Sequence, residues 1–158
     1  TMAEAGSDLR NYLLYLLFKT MKKIGLSPEL LFRQASSAIA EDIKYVSNSF
    51  FKGGDINTSD FKTMVGNILA TLRDSNIISG YNVEFKGDNV IEILCENCCY
   101  LSMAEEAKRF GEKGCPICIV AFAGSIACAA IAGYTFNKVE YEVYEPGKCR
   151  LSFEYEHA

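Results

Sequence analysis

The sequence is poor in the groups on which most catalysis and nucleic-acid binding depend. Its 158 residues include one histidine, His157, next to the last position. A solvated or disordered tail residue is the plainer reading of it than a catalytic group. No serine-nucleophile motif, Walker loop or dinucleotide glycine fingerprint is present, so acyl-transfer and nucleotide chemistry have little footing. There is no basic surplus. The 16 Lys and Arg stand against 20 Asp and Glu, for a net charge of −4 and a pI of about 5.1, which argues against a dedicated nucleic-acid binder. The one dense basic group, Lys19, Lys22 and Lys23, falls where a helix ends and complements its dipole. Three prolines and twelve glycines exclude a collagen-like or low-complexity chain. A hydrophobic content of 49% and a mean hydropathy of +0.06 exclude disorder. What remains is a globular chain with one domain's worth of residues, 1–158.

Cysteine is absent from the first 94 residues and then occurs seven times. The odd count, with no signal peptide in sight, argues against a secreted disulfide scaffold and for a reducing, cytoplasmic interior. Met2 reads as the native start. Cys95-Glu96-Asn97-Cys98 and Cys115-Pro116-Ile117-Cys118 give a C-x2-C-x16-C-x2-C pattern, inside the range of a four-thiolate zinc site. Two residues between sulfurs let one tight turn offer both to the same ion, and two such turns complete a tetrahedron at about 2.3 Å per Zn–S bond. The sequence therefore implies a structural zinc held by Cys95, Cys98, Cys115 and Cys118. Cys99 and Cys149 are alternates, and Cys128 reads as core. A helix opening at Pro116 would favour thiolate at Cys115 and Cys118. Two other readings stand beside this one. The cysteines can be buried small hydrophobes, or Cys115 and Cys118 can be a thiol redox pair.

The hydrophobic pattern divides the chain near residue 80. Leu9, Leu13, Leu16, Leu17, Met21 and Ile24 recur at helical spacing until Gly25. Ser27-Pro28 restarts a helix with one long stripe through Leu31, Ala35, Ile39, Ile43, Val46 and Phe50. After the Gly53-Gly54-Asp55 loop a third helix is expected from Thr58 or Ser59, with Phe61, Met64, Val65, Ile68, Leu69 and Leu72 inward. Residues 81–86 and 90–95 then read as a hairpin around Gly87-Asp88-Asn89. Ser102 and Glu105 suggest a capping box for a helix to about Phe110, and Pro116 a helix to about Gly133. Residues 138–144 and 149–156 read as strands around Pro146-Gly147, with Glu140, Glu142 and Glu145 on a solvated face. The run from Gly114 to Asn137 carries no charge and is long enough to span a bilayer. Its Ala, Gly and Ser content fits a buried helix in close contact better. The fold class is α+β, with helices in residues 1–80 packed on an antiparallel sheet from 81–158.

Four aromatics, Phe50, Phe122, Tyr134 and Phe136, are candidates to line an apolar pocket, core being the alternative. The C-terminal half also carries a composite pattern. Gly114-Cys115-Pro116 precedes the small-residue stretch to Gly133. The Val139–Glu145 strand follows, and then Gly147-Lys148-Cys149-Arg150-Leu151-Ser152-Phe153. This resembles the 4-vinyl reductase domain family, over roughly Tyr81 to Glu156, and most closely its small archaeal, hydrocarbon-binding type. The resemblance implies a fold similar to the ligand-binding fold of nitric-oxide sensors and vesicle-tethering subunits. It implies a small-molecule sensor with an apolar or aromatic ligand, a homodimer, and zinc held by the Cys115 region and the terminal strand. That last point favours Cys149. The cysteine expected after Glu145 is missing, and the Cys95, Cys98, Cys99 group stands instead. Non-enzymatic binding is thus the leading functional expectation. A pigment-pathway reductase or thiol redox enzyme, and a dimeric interaction scaffold, are the alternatives.

Overall fold

The computed structural model describes residues 2–50 and 60–158, with side-chain surroundings for 9–46 and 60–158. In chain order the helices are α1 (Met2–Lys23), α2 (Pro28–Glu41), α3 (Ile43–Phe50) and α4 (Phe61–Asp74). The hairpin β1 (Gly80–Lys86) and β2 (Val90–Glu96) follows, then α5 (Leu101–Lys108). A 3-10 turn, Ile119–Ala121, leads into α6 (Phe122–Ala130), and β3 (Tyr134–Glu145) and β4 (Lys148–His157) complete the sheet. The sheet is antiparallel in the order β1-β2-β4-β3. The fold is α+β, as the change of period near residue 80 implies.

Helix starts follow their side chains. Ser27 accepts a hydrogen bond from the Leu30 amide at 3.1 Å, with Pro28 at the first helical position, so the chain re-enters helix where a serine satisfies an orphan donor. Asp60 caps α4, accepting from the Lys62 amide and from the Thr63 hydroxyl at 2.6 Å. Thr58 and Ser59, the expected start of this helix, lie outside the described residues, as does the Gly53–Asp55 loop. The long second helix is two helices. The Asp42 amide turns back to the Ile39 carbonyl, and the Asp42 carbonyl receives Val46, so a residue suited to helix ends interrupts one apolar stripe.

The main core lies beneath the sheet. Phe61, Met64, Val65, Ile68 and Leu69 of α4 are buried, as their spacing implies. They join Ile91, Ile93, Leu151, Phe153 and Tyr155 of the sheet in one cluster. α6 reaches the sheet through small residues. A Cβ on Gly124 would lie 2.9 Å from the Phe136 ring, so only glycine permits this approach. Ser125, fully buried, donates to the Phe32 carbonyl at 2.8 Å and so satisfies its hydroxyl. The uncharged run is therefore spent on a loop, a 3-10 turn, α6 and the start of β3. Among the described residues no helix is long and apolar enough to cross a membrane.

Several boundaries differ from the sequence reading. Pro116 opens no helix. Its carbonyl accepts the Tyr141 hydroxyl at 2.6 Å, and the Val143 amide donates to the Lys113 carbonyl. These bonds hold the segment against β3 as a bent loop, and helix begins only at Ile119. β3 begins at Tyr134, four residues early, because an irregularity between Phe136 and Lys138 breaks the alternation that marks a strand. The Ser102–Glu105 capping box is absent. Leu101 is already helical, the cap is Tyr100 without a side-chain bond, and the helix ends at Lys108. On α1 most of the stripe faces out. Leu9, Leu13, Leu16 and Leu17 are exposed, as is Ile24 just past the helix, while Met21 packs on the main core and Tyr15 packs inward with Met103 and Ala107 of α5. The helix turns its tyrosine and Phe18 inward because α5 offers only a short apolar face to cover it.

Candidate metal centre

Five of the seven cysteines converge. Cys95, Cys98, Cys115, Cys118 and Cys149 line one small cavity of about 20 Å³, closed by Tyr100, Leu101, Ala104, Ile119, Val120 and Leu151. Each sulfur arrives by a different local device. Cys95 follows Ile91 and Ile93 on the buried face of β2. Cys149 is its cross-strand partner on β4, and directly opposed residues share a face. Asn97 takes a positive φ of 48°, a conformation asparagine tolerates better than most residues. It turns the chain out of β2 towards Cys98. This turn is pinned on both sides. The Asn97 amide donates to the Gly147 carbonyl at 2.8 Å, and its side chain donates to the Ser79 hydroxyl at 3.0 Å. Cys115 and Cys118 come from the segment that Tyr141 and Lys113 tie to β3.

The four cysteines of the C-x2-C pairs thus share a cavity, and the alternate Cys149 shares it with them. The alternate Cys99 does not line it. It is exposed, with its amide bonded to the Ile77 carbonyl. Cys128 is buried on α6 and is also absent from the cavity lining. All seven cysteines are free thiols.

Electrostatics at the cluster run opposite to the expected helix-terminus effect. Burial, with the neighbouring sulfurs adding to it, pushes the Cys95 and Cys115 thiols up to about 12 and Cys98 to about 11. Cys118 lies well above the ordinary value and Cys149 is raised, both first through burial. Cys115 sits in a loop, and Cys118 precedes a 3-10 turn of only three residues. Neither has a helix dipole strong enough to offset desolvation. Hydrogen bonds to sulfur are few and long, from the Tyr100 amide to Cys98 at 3.5 Å and from Cys115 to the Tyr100 carbonyl at 3.8 Å. As they stand, no three Cys, His, Asp or Glu side chains among the described residues are gathered into a metal-holding group. The donor chemistry nevertheless suits a soft divalent ion. Five cysteines line a space near the size of one small sphere, and thiolates there would need a cation to be tolerated.

One residue near the cluster escapes a sequence reading. The Tyr15 hydroxyl is buried and finds no hydrogen-bond partner among the described residues. Its ring stacks on Phe110 at 5.0 Å, and Tyr100 and Cys115 pack against the same small cluster. Its only signal in the sequence is a polar-tipped ring among leucines.

The candidate pocket aromatics do not meet around one space. Phe122 and Phe136 both pack on Phe32, with ring centroids 4.9 and 5.4 Å away, and Phe136 is buried. Tyr134 stands apart, stacked between Phe61 at 4.1 Å and His157 at 4.3 Å. It borders an open cleft of about 700 Å³ with Asp60, Asp88 and Tyr155. The Phe50 side chain lies outside the described residues. His157 is exposed, as expected, yet it is paired in β4 opposite Tyr134 and is no loose tail. The chain matches no family model, no curated protein and no solved structure.

Proposed function

We propose that this protein is a non-enzymatic binding module whose cysteine cluster holds one structural zinc ion. The observation that carries the reading is the convergence of Cys95, Cys98, Cys115, Cys118 and Cys149 on one cavity. Sequence positions 54 apart, from Cys95 to Cys149, are brought together there by strand register. Four thiolates drawn from these cysteines would complete a zinc tetrahedron, with no position left for water and hence a structural role. Zinc would displace protons that burial holds more tightly than usual, so its affinity falls as pH falls. The same burial weighs against a redox pair at Cys115 and Cys118, because the thiolate is the nucleophile.

Metal analysis of protein purified without a metal-affinity step tests this. One zinc per chain is expected, with three of the seven thiols reactive after denaturation without chelator. Serine at two of the five together, such as Cys95 with Cys115, lowers the zinc content below one per chain, and serine at Cys99 or Cys128 leaves it unchanged. A metal-free protein with seven reactive thiols overturns the reading.

The resemblance extends it to a small apolar or aromatic ligand. What supports this extension is that Tyr134, alongside Phe61 and Tyr155, borders the large open cleft. Native mass spectrometry of the purified protein should find a retained small apolar molecule. A spectrum at the zinc-bound chain mass alone counts against this half.

A further inference from the structure

α1 is apolar on two opposite faces. One face, with Tyr15, Leu14 and Phe18, packs towards α5. The other carries Leu9, Tyr12, Leu13, Leu16 and Leu17, each exposed by 40% or more. Phe110 extends this outer surface, its ring centroid 6.4 Å from that of Tyr12. A helix that is apolar all round belongs in an interior. Monomeric proteins seldom leave more than a few hundred Å² of contiguous apolar surface in water.

We propose that this face is covered by the same face of a second copy of the chain, with the two α1 helices antiparallel. Three features select this occupant. Leucines at 9, 13 and 17 are evenly spaced about Leu13, so a two-fold axis there sets Leu9 of one helix against Leu17 of the other and Leu13 against itself. Such self-complementarity is what a two-fold interface requires. The charge order along α1 fits only the antiparallel sense. Glu4 and Asp8 precede the leucines while Lys19, Lys22 and Lys23 follow them, so each acidic start lies beside the partner's basic end, and the helix dipoles oppose. The extent also fits. The helix is 22 residues long, and five large side chains plus Phe110 supply most of the roughly 800 Å² per partner that a stable interface buries.

Sedimentation equilibrium across a concentration range tests this. The native chain is expected at twice its 17.5 kDa mass. Leu13→Glu, with helix content unchanged by circular dichroism, should weaken the dimer at least about thirtyfold, as loss of a central anchor does. Leu13→Lys should do the same. Mixing the two variants should restore a dimer that neither forms alone, which a folding defect cannot imitate. A native chain that stays monomeric at about 100 µM, or a dimer unaffected by either variant, overturns the proposal. So does a monomer that instead binds phosphatidylcholine–phosphatidylglycerol vesicles through α1, which would assign the leucines and lysines to a lipid surface.

Discussion

The core beneath the sheet and the cluster between α1 and α5 are built to different standards. Among the described residues the first joins 23 buried ones from three helices, the 3-10 segment, the sheet and its loops. The second joins three, Tyr15, Met103 and Ala107, and leaves the buried Tyr15 hydroxyl without a partner among the described residues. The cysteine cavity lies where they meet. Cys95 and Cys118 belong to the large core, and Cys115 packs on the small one. The difference explains what a metal staple would do in this fold. Cys98 and Cys115 flank α5, so an ion held there would tie α5, and α1 packed on it, to the sheet.

Truncating each cluster at its centre should separate the two. Ile68→Ala opens a cavity in the large core and should cost about 2–5 kcal/mol in global unfolding, read by urea denaturation. Met103→Ala removes as large a buried side chain, but from a cluster able to collapse, so the loss should sit at the low end, about 2 kcal/mol. Hydrogen exchange should then show it as faster opening of α1 and α5 alone. Equal global losses for both would erase the distinction. Next in size, Gly124→Ala forces a methyl to within 2.9 Å of the Phe136 ring and should cost about 1–3 kcal/mol through overpacking. A neutral result would mean that α6 can withdraw from the sheet.

The smallest effect at neutral pH is the sharpest in its dependence. In the metal-free protein the cysteines of the cavity are held as thiols, with folded pKa values above the unfolded one. Their contribution is complete below the unfolded value and is lost as pH rises through about 11 to 12. Stability should therefore be flat in this respect from pH 5 to 8 and fall above about 9. Zinc-loaded protein should not show that fall from these sulfurs, because their protons have already left. Chemical denaturation at a series of pH values, with and without chelator, checks it.

Much of the fold was legible in local pattern, and the failures share a cause. α4 reads correctly because its stripe, Phe61 to Leu69, is the face that other elements cover. The hairpin turn Gly87-Asp88-Asn89 reads correctly because its residues suit the turn itself. α1 has an equally good stripe and points most of it outward, since spacing defines a face but not what lies opposite. The start of β3 was hidden by its irregularity after Phe136, and the bent Pro116 loop by hydrogen bonds from Tyr141 and Val143, 25 or more residues away in the chain. At the site, the C-x2-C spacing named four of the five cysteines that meet. It left Cys149 an alternate, favoured by the resemblance alone, and the register of β2 with β4 is what sets it opposite Cys95. Tyr15 could not be singled out, because an orphaned hydroxyl is a property of packing.

The strand order has a consequence for how the molecule comes into being. β4 follows β3 in the chain, yet it lies between β2 and β3. The β1–β2 hairpin can form as soon as it leaves the ribosome, but β3 has no strand to pair with until residues 148–157 emerge. Until then β2 exposes an open edge, and Cys95 faces no partner. Vectorial synthesis therefore cannot assemble this sheet piece by piece. Residues 148–157 close both ladders and the sulfur cluster in one step, and any ribosome pause before them leaves an aggregation-prone edge exposed.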